Sequence, residues 1–260
     1  MDEELKKHVI MLLGSDQRLD GRKPLEYRKP LVIDYGFTKT AEGSAKVTLG
    51  ETEVLVGVKM ETGEPYPDMP DQGTIIVGAE LLPLSNPNFE GGTPGIQAIE
   101  LARVVDRGIR ESKTIDFKKL CIKEGESIWM ASIDICPMND DGNLFDASAL
   151  GAYAALQDAV FPKLDGDKVN YKERTEKKLE LRNIPLSVTV CKIGDKFIVD
   201  PTTEEEKVIE ARLTVASIED GTLCALQKGG DYPLTSDDII KMIDIGIEKA
   251  EELRGVLKND

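Results

Sequence analysis

Hydrophobic and polar residues alternate along AKVTLGETEVLVGVKM, the segment that begins at Ala45. A period of two is typical of a strand with one face buried and one face in solvent. We therefore predict strands over Ser44 to Leu49 and Val54 to Met60. Gly50 and Glu51 lie between them and predict a tight antiparallel connection, so that the two strands form a hairpin.

A helical period replaces this alternation between Gly95 and Ser112. Three apolar residues recur at steps of four and fall on one side of the predicted helix: Leu101, Val105 and Ile109. Three arginines recur at steps of four and three and lie on the opposite side: Arg103, Arg107 and Arg110. The pattern predicts an amphipathic helix that presents a row of guanidinium groups to solvent.

The remaining first half contains further apolar segments of strand length and one Ala-rich segment. Strands are predicted at Leu31 to Tyr35, Thr74 to Leu82, Lys119 to Lys123 and Ser127 to Cys136. The Ala-rich segment from about Phe145 to Phe161 has small residues on several sides, which is typical of a tightly packed interior helix. Before all of these, residues up to Gly14 predict an N-terminal amphipathic helix.

Pro162 to Asn183 is highly charged and is predicted to be the boundary between two halves. Strands then recur, at Leu186 to Lys192, Lys196 to Val199, Glu210 to Ser217 and Thr222 to Gln227. A long C-terminal helix follows from about Ser236, which is an N-cap candidate with two aspartates behind it. Strands followed by a helix in both halves predict an α+β protein with largely antiparallel sheets, not a doubly wound nucleotide-binding fold.

Charge restricts the partners that the chain can bind. It has 260 residues, of which 48 are acidic and 33 basic, for a formal net charge of −15. Non-specific affinity for nucleic acid is therefore expected to be poor, and a polyanion would need a local basic patch. No apolar run approaches the roughly 20 residues of a membrane span, and the N-terminus does not resemble a signal peptide.

Cysteine and histidine usage argues against a metal centre. The four cysteines, Cys121, Cys136, Cys191 and Cys224, are widely separated, and His8 is the single histidine. Reduced, buried thiols in a cytoplasmic protein without a bound metal or cofactor are the simplest interpretation.

The arginine row and the acidic runs each allow two interpretations. The arginines could form a solvated face in which Arg107 pairs with Glu100, Glu111 or another nearby acid. They could instead bind phosphate, which suits the planar guanidinium. Glu204 to Glu206 could hold magnesium, but the side chains of adjacent residues point in different directions. We therefore favour the interpretation that these glutamates form a solvated run without a metal. Asp140 and Asp141 are interpreted as residues of a turn, a position that favours aspartate. No nucleophile elbow or glycine-rich nucleotide loop is present.

Several segments together resemble the RNase PH family of phosphate-dependent 3′→5′ exoribonucleases. They are Arg18-x-Asp20-Gly21-Arg22, the AKVTLGETEVLVGV hairpin, the arginine helix, Ile133-Asp134-Ile135 leading to Asp141-Gly142, and Val199-Asp200-Pro201-Thr202-Thr203 followed by three glutamates. The resemblance covers almost the whole chain. It implies a two-lobed fold: an N-terminal helix and arm over 1–30, a first lobe like ribosomal protein S5 domain 2 over 31–165, and a smaller α+β lobe over 184–260.

Two departures from the active members of this family concern the chemistry. Active members continue after Asp141-Gly142 with a Gly-Thr-Arg type segment whose arginine holds phosphate, and here Phe145 stands at the arginine position. They also carry a catalytic aspartate where this chain has Arg212. Phenylalanine cannot bind a dianion, Asp146 beside it would repel one, and Arg212 reverses the charge of the acid. The resemblance therefore implies no catalytic residues here, as in the non-catalytic RNase PH-like subunits of the archaeal exosome ring.

The departures at Phe145 and Arg212 do not affect the row of arginines on the predicted helix. In such a ring the inactive subunit alternates with an active paralogue in a hetero-hexamer and helps to structure the paralogue's active site, and RNA-binding cap proteins sit on the ring. The resemblance implies that Arg103, Arg107 and Arg110 contact single-stranded RNA bound in the neighbour's site. The alternative is a catalytically competent phosphate-dependent exoribonuclease, which would need another phosphate ligand, and the same three arginines are the candidates.

Overall fold

A six-stranded sheet forms the first lobe. The computed structural model describes residues 3–166 and 168–257. After helix α1 (Glu3–Gly14), the strands are β1 (Leu31–Tyr35), β2 (Gly43–Leu49), β3 (Thr52–Gly63), β4 (Thr74–Ala79), β5 (Cys121–Lys123) and β6 (Ser127–Asn139). Their spatial order is β1-β2-β3-β6-β4, with β5 paired to β6. Neighbours are antiparallel except β4 and β6, which are parallel.

The predicted hairpin is confirmed and forms the centre of this sheet. Leu49 faces Thr52 across the turn, and Gly50 has the positive φ of 59° that such a turn requires. Along β3 the even-numbered side chains are buried: Val54, Val56, Val58 and Met60. The alternation in the sequence therefore fixes which face of the sheet turns toward the core.

The second lobe is a four-stranded sheet. Its strands are β9 (Leu186–Ile193), β10 (Lys196–Val199), β11 (Ala211–Ser217) and β12 (Leu223–Gly229), in the antiparallel order β10-β9-β11-β12. Helix α5 (Ser236–Leu257) packs on β9 and β11. The N-terminal helix also packs here, because Val9 and Leu13 form a small core with Cys191, Ile193 and Ile198.

Two helices connect the lobes. Helix α2 (Ile96–Glu111) contacts β4 of the first sheet and β9 and β12 of the second. Helix α3 (Leu144–Asp158) lies between the sheets, and its small residues are buried almost throughout, which confirms the predicted interior helix. A Cβ at Gly151 would come within 2.8 Å of Val56, so a glycine is needed where this helix meets β3. The predicted α+β class with largely antiparallel sheets is confirmed.

The charged segment Pro162 to Asn183, which was predicted as a boundary, contains a hairpin. Strands β7 (Val160–Asp165) and β8 (Lys168–Lys178) pair as a separate two-stranded sheet. The prediction missed them because their residues are mostly charged and give no apolar alternation. Lys163 and Glu173 pair on its exposed side, 2.8 Å apart, while Phe161 of β7 is buried in the main core.

Two local predictions are wrong. Thr235, not Ser236, caps α5: its Oγ1 accepts a hydrogen bond from the Asp238 N–H at 3.1 Å, and Asp238 Oδ2 accepts from the Thr235 N–H at 3.0 Å. This reciprocal arrangement is a capping box. Of the four unpaired cysteines, Cys191 alone is fully buried, while Cys121, Cys136 and Cys224 are half-buried. In the part of the chain that the structure describes, no helix is long and apolar enough to cross a membrane.

Candidate functional site

Helix α2 has the two faces that its sequence predicts. Leu101, Val105 and Ile109 are buried in the main core, and the arginines lie on the opposite side. Arg103 is exposed and makes no hydrogen bond or ion pair with any residue that the structure describes. Its guanidinium is therefore available to an external anion.

Arg107 is held by uncharged groups. Its Nη2 donates to the Leu226 carbonyl oxygen at 3.1 Å and to Gln227 Oε1 at 2.7 Å, both on β12. The alternative that paired Arg107 with Glu100 or Glu111 is wrong within the described ranges, since neither carboxylate forms an ion pair with it. The positive charge of Arg107 is thus positioned by the second sheet without being neutralised.

Arg110 differs from the other two because an acid on the same helix neutralises it. Asp106, one turn earlier, accepts from Arg110 Nε at 3.0 Å and from Nη2 at 2.7 Å. These hydrogen bonds raise the pKa of Arg110. Its Nη2 also donates to the Ile75 carbonyl oxygen at 3.1 Å, and the guanidinium lies 5.7 Å from the Phe117 ring centre. The availability of charge therefore falls from Arg103 to Arg110.

The two positions at which the sequence departs from active enzymes meet in one pocket. Phe145 lies in the first turn of α3, and Arg212 lies at the start of β11. The Arg212 guanidinium is 4.8 Å from the centre of the Phe145 ring, a cation–π distance. Arg212 Nη2 also donates to Glu100 Oε1 of α2 at 2.7 Å. The arginine is thus neutralised by one neighbour and stacked on the other.

The backbone leaves room for this arginine. Arg212 faces Gly229 across the β11–β12 pair, and a Cβ on Gly229 would come within 2.5 Å of the guanidinium carbon. A side chain on Gly229 would therefore displace Arg212 from Phe145 and Glu100.

Acidic groups outnumber basic groups around this pocket, whose volume is about 360 Å³. Glu100, Asp140 and Glu206 line it with Arg212 as the single lining cation among the described residues. Glu206 is reached by solvent through the pocket, but the surrounding protein removes much of its hydration. This desolvation, with a further contribution from Asp140, raises the pKa of Glu206 to about 7. A phosphate dianion would meet net negative charge here.

A buried acid stands directly behind the pocket. Asp146 accepts hydrogen bonds from the Thr189 N–H at 2.7 Å, Tyr27 Oη at 3.3 Å and Asn143 Nδ2 at 3.2 Å. Burial nevertheless dominates and raises the pKa of Asp146 to about 7. The contact with Thr189 ties the first turn of α3 to β9.

Arginines of the N-terminal arm hold the two loops that form the rim of the pocket. Arg28 Nη1 lies 2.8 Å from Asp141 Oδ2, and its Nη2 lies 2.8 Å from Asp200 Oδ1. Arg22 Nη1 reaches the other oxygen of Asp200 at 2.9 Å. Because Asp141 follows β6 and Asp200 follows β10, these contacts join the lobes at the pocket.

Arg18 extends this network into the acidic run. Its Nε donates to Glu205 Oε1 at 3.0 Å, its Nη2 pairs with Glu205 Oε2, and its Nη1 donates to the Val199 carbonyl oxygen at 2.8 Å. Arg18 and Glu205 are both buried, so the predicted solvated run is wrong at Glu205 and at Glu206, which lines the pocket, and holds for the exposed Glu204. Glu205 also completes a capping box with Thr202 at the short helix α4 (Thr203–Glu206).

Sequence reasoning missed the roles of Glu100, Glu206 and the arm arginines. The Arg18-x-Asp20-Gly21-Arg22 motif contained a signal, since arginines that recur in an otherwise acidic chain invite a search for buried carboxylates. Nothing in the local sequence connects Glu100 to Arg212. In residues 3–166 and 168–257, no group of three or more His, Cys, Asp or Glu side chains is arranged to hold a metal ion.

Comparison with family models gives two matches that cover most of the chain. Residues 27–162 match domain 1 of the 3′ exoribonuclease family, RNase_PH, and residues 183–249 match domain 2, RNase_PH_C. The chain is 47% identical to the exosome complex component Rrp42 of Methanosarcina mazei over 251 residues, which covers 96% of this chain and 92% of that protein.

Solved structures give the same family at high similarity. A chain in the Archaeoglobus fulgidus exosome with RNA bound to the active site superposes with a TM-score of 0.90 at 45% identity, covering 98% of both chains. Rice Rrp46 superposes with a TM-score of 0.71 at 17% identity, covering 93% of this chain and 99% of that one, which shows the shared fold.

Proposed function

The chain belongs to the RNase PH family of 3′ exoribonucleases, and from this premise we propose that it is a non-catalytic subunit of an exosome. In this role it alternates with an active RNase PH-like paralogue in a hetero-hexameric ring in the cytoplasm. It helps to structure the paralogue's active site and to bind the single-stranded RNA substrate, and the ring carries RNA-binding cap proteins. The proposed division is an arm over 1–30, a first lobe over 31–165 and a second lobe over 184–260.

The observation that carries the non-catalytic role is the contact between Phe145, Arg212 and Glu100. Phosphorolysis needs a positive group for phosphate and an acid for proton transfer. Here the positive group nearest Phe145 is the Arg212 guanidinium, and Glu100 already neutralises it at 2.7 Å. The additional carboxylates of Asp140 and Glu206 would repel the incoming dianion.

The RNA-binding role rests on Arg103, Arg107 and Arg110 of α2. Arg103 offers an exposed guanidinium, and Arg107 is oriented by uncharged partners on β12. Arg110 contributes least because Asp106 neutralises it. Contacts of this kind go to phosphates, so RNA binding is independent of sequence.

Release of nucleoside diphosphates from single-stranded RNA tests the proposal. The reaction is run with and without phosphate, using the purified chain alone, the active paralogue alone, and the two mixed. We expect no release from the chain alone and phosphate-dependent release from the mixture. Phosphate-dependent release by the chain alone would identify the competent enzyme instead and would overturn the interpretation of Phe145 and Arg212.

A further inference from the structure

The carboxylates of the pocket beside Phe145 are not all neutralised. Glu100 pairs with Arg212 at 2.7 Å, so these two charges cancel. Asp140 and Glu206 form no ion pair with any residue that the structure describes. We call this cavity of about 360 Å³, lined by Glu100, Asp140, Glu206 and Arg212, the acidic pocket. Its unpaired charge is negative.

The two unpaired acids lie close to each other. Asp140 Oδ1 accepts a hydrogen bond from the Gly142 N–H at 3.0 Å, and Glu206 Oε1 accepts from the Asn143 N–H of the next residue at 2.9 Å. Besides desolvation, the charge of Asp140 raises the pKa of Glu206, so the two carboxyl groups are within electrostatic reach. In residues 3–166 and 168–257 no donor reaches Glu206 Oε2. A cation with N–H groups would supply both the donor and the charge.

An amide oxygen without a partner lies at the same place. Asn143 lines the acidic pocket and is 2% exposed. Its Nδ2 donates to Asp146 Oδ2 at 3.2 Å and to Asp200 Oδ1 at 3.0 Å, and neither aspartate lines the pocket. Asn143 Oδ1, on the opposite edge of the planar amide, is buried and accepts no hydrogen bond from the described residues. Because buried acceptors are nearly always paired, this oxygen indicates a donor that the described chain does not supply.

The remainder of the wall is apolar. It is formed by six large side chains: Leu81, Phe89, Leu101, Leu144, Phe145 and Ile209. The volume lies within the range of about 300–1,000 Å³ that is usual for sites of small organic ligands. A complementary ligand therefore carries a positive group with several N–H donors at one end and a hydrocarbon stem at the other.

Other ligand classes fit less well. Anions meet the unpaired charge of Asp140 and Glu206, and a neutral ligand leaves that charge unpaired. Within the described residues no group of three or more His, Cys, Asp or Glu side chains is arranged to hold a metal ion. Arg212 shows that the pocket accepts an organic cation, since its guanidinium lies between the carboxylate of Glu100 and the ring of Phe145.

We propose that the acidic pocket binds a small organic cation, a primary alkylamine. Its ammonium group donates to Glu206, Asp140 and Asn143 Oδ1, and its hydrocarbon stem lies on the apolar wall. The proposal goes beyond the proposed function and does not depend on it, because the site is formed by this chain alone. The position at which active members of the family hold phosphate would then bind the opposite charge.

Calorimetric titration of the full chain with pentylamine tests the proposal. Pentanol and pentanoate are the neutral and anionic probes of the same length, and pentylamine is charged at pH 7, as lysine with its pKa of about 10.4 is. We expect pentylamine to bind at least about tenfold more tightly than pentanol, and pentanoate and inorganic phosphate not to bind. Shortening the amine should weaken binding about fourfold per methylene removed. Equal affinity for pentylamine and pentanol, or a preference for either anion, would overturn the proposal.

Substitutions that remove one charge and keep the shape place the ligand in the pocket. Glu206→Gln and Asp140→Asn should each weaken pentylamine binding about tenfold. Glu204→Gln is the matched control, because Glu204 belongs to the same short helix α4, is exposed and pairs with Lys207 outside the pocket. Thermal unfolding without ligand verifies that each variant is folded. Unchanged affinity in both pocket variants, or an equal loss in Glu204→Gln, would show that the amine binds elsewhere.

Proton release on binding is a signature of contact with Glu206. Its pKa of about 7 results from desolvation and from Asp140, against the lowering effects of Arg212 and Arg28. The neighbouring Cys191 has a pKa well above its usual value and stays protonated in this range. An ammonium group beside Glu206 favours the ionised carboxylate, whose fraction rises from about 0.1 at pH 6 to about 0.9 at pH 8. Pentylamine affinity should therefore rise about tenfold between these pH values.

The Glu206→Gln chain should lose this pH dependence. Asp146, whose pKa is also about 7, remains in that variant and lies behind the pocket. An equal pH dependence before and after the substitution would assign the proton to Asp146 and would contradict the contact with Glu206.

Magnesium chloride is the last probe. At equal ionic strength it should displace pentylamine no better than sodium chloride does, because the acids of the pocket are not arranged as metal ligands. Stronger displacement by magnesium would identify a metal site and would overturn the proposal.

Discussion

The arginines of the N-terminal arm and those of α2 look alike in sequence and behave differently in the fold. Arg18, Arg22 and Arg28 lie at short intervals, as do the three arginines of α2. Arg18 and Arg28 are buried, and carboxylates and carbonyl oxygens accept from them on several sides. Arg103 is exposed, and Arg107 contacts only uncharged acceptors among the described residues.

This difference teaches that the surroundings of an arginine decide whether it stabilises the fold or binds a ligand. A guanidinium whose donors are already used by buried carboxylates has none left for phosphate. An exposed guanidinium contributes little to stability and keeps its donors for a partner. Arg212 is an intermediate case, since it lies in an open pocket but is neutralised by Glu100.

Removal of Arg18 should have the largest effect. Arg18→Ala leaves Glu205 buried without its partner and should lower the free energy of unfolding by about 3–5 kcal/mol. Urea denaturation measures this change. Arg103→Ala, as the exposed counterpart, should change it by less than about 0.5 kcal/mol. A loss below about 1 kcal/mol for Arg18→Ala would remove the distinction between the two groups.

Asp146 is a buried carboxylate that no arginine of the described chain neutralises, and its pKa should make the stability of the fold depend on pH. Its pKa is raised from 3.8 to about 7, so the folded state holds a proton that the unfolded state releases. The free energy of unfolding should therefore fall as pH rises from about 4 to about 7, by at most about 1.4 kcal/mol per pH unit. Urea denaturation of the Glu206→Gln chain at pH 5 and pH 7 measures this fall without Glu206, the other carboxyl whose pKa is raised to about 7.

Asp238 supplies the control for this pH dependence. The hydrogen bond from Lys192 lowers the pKa of Asp238 to about 2, so its contribution is lost only as pH falls below about 4. Asp238→Asn should leave the slope between pH 5 and pH 7 unchanged. Equal stability at pH 5 and pH 7 in the Glu206→Gln chain would mean that Asp146 is ionised throughout.

Substitution of Arg103 and Arg107 should affect RNA binding without affecting stability. Arg103→Ala and Arg107→Ala should weaken binding of single-stranded RNA to the assembled ring, and Arg107→Glu more so. Each lost phosphate contact should lower the slope of log affinity against log salt by about 0.7. Lys241→Ala, on α5, is the control. Unchanged slopes in both arginine variants would place α2 outside the RNA path.

The smallest effects are expected at Arg110. Because Asp106 neutralises it, Arg110→Ala should weaken RNA binding less than Arg103→Ala does. Asp106→Asn removes that neutralising charge and should strengthen binding slightly. The same titrations measure both. A larger loss with Arg110→Ala than with Arg103→Ala would show that the intrahelical ion pair does not control availability.

Local patterns in the sequence were sufficient to predict much of the fold. The alternation around Val54 to Met60 and the glycine at position 50 were sufficient for the central hairpin, because side-chain period and turn geometry act between neighbours. The steps of three and four in α2 likewise separated its buried face from its arginines. The hairpin of β7 and β8 escaped prediction because most residues of β8 are charged and give no apolar alternation along the sequence.

The sequence by itself determined most of the element types, the two faces of α2, and, through family resemblance, the importance of Phe145 and Arg212. The tertiary structure alone decided how charges are paired. Glu100 and Arg212 are 112 positions apart, and Arg18 and Glu205 are 187 apart. Such contacts exist only after the two sheets have packed on α3, because Coulomb energy depends on separation in space and on burial and not on separation along the chain.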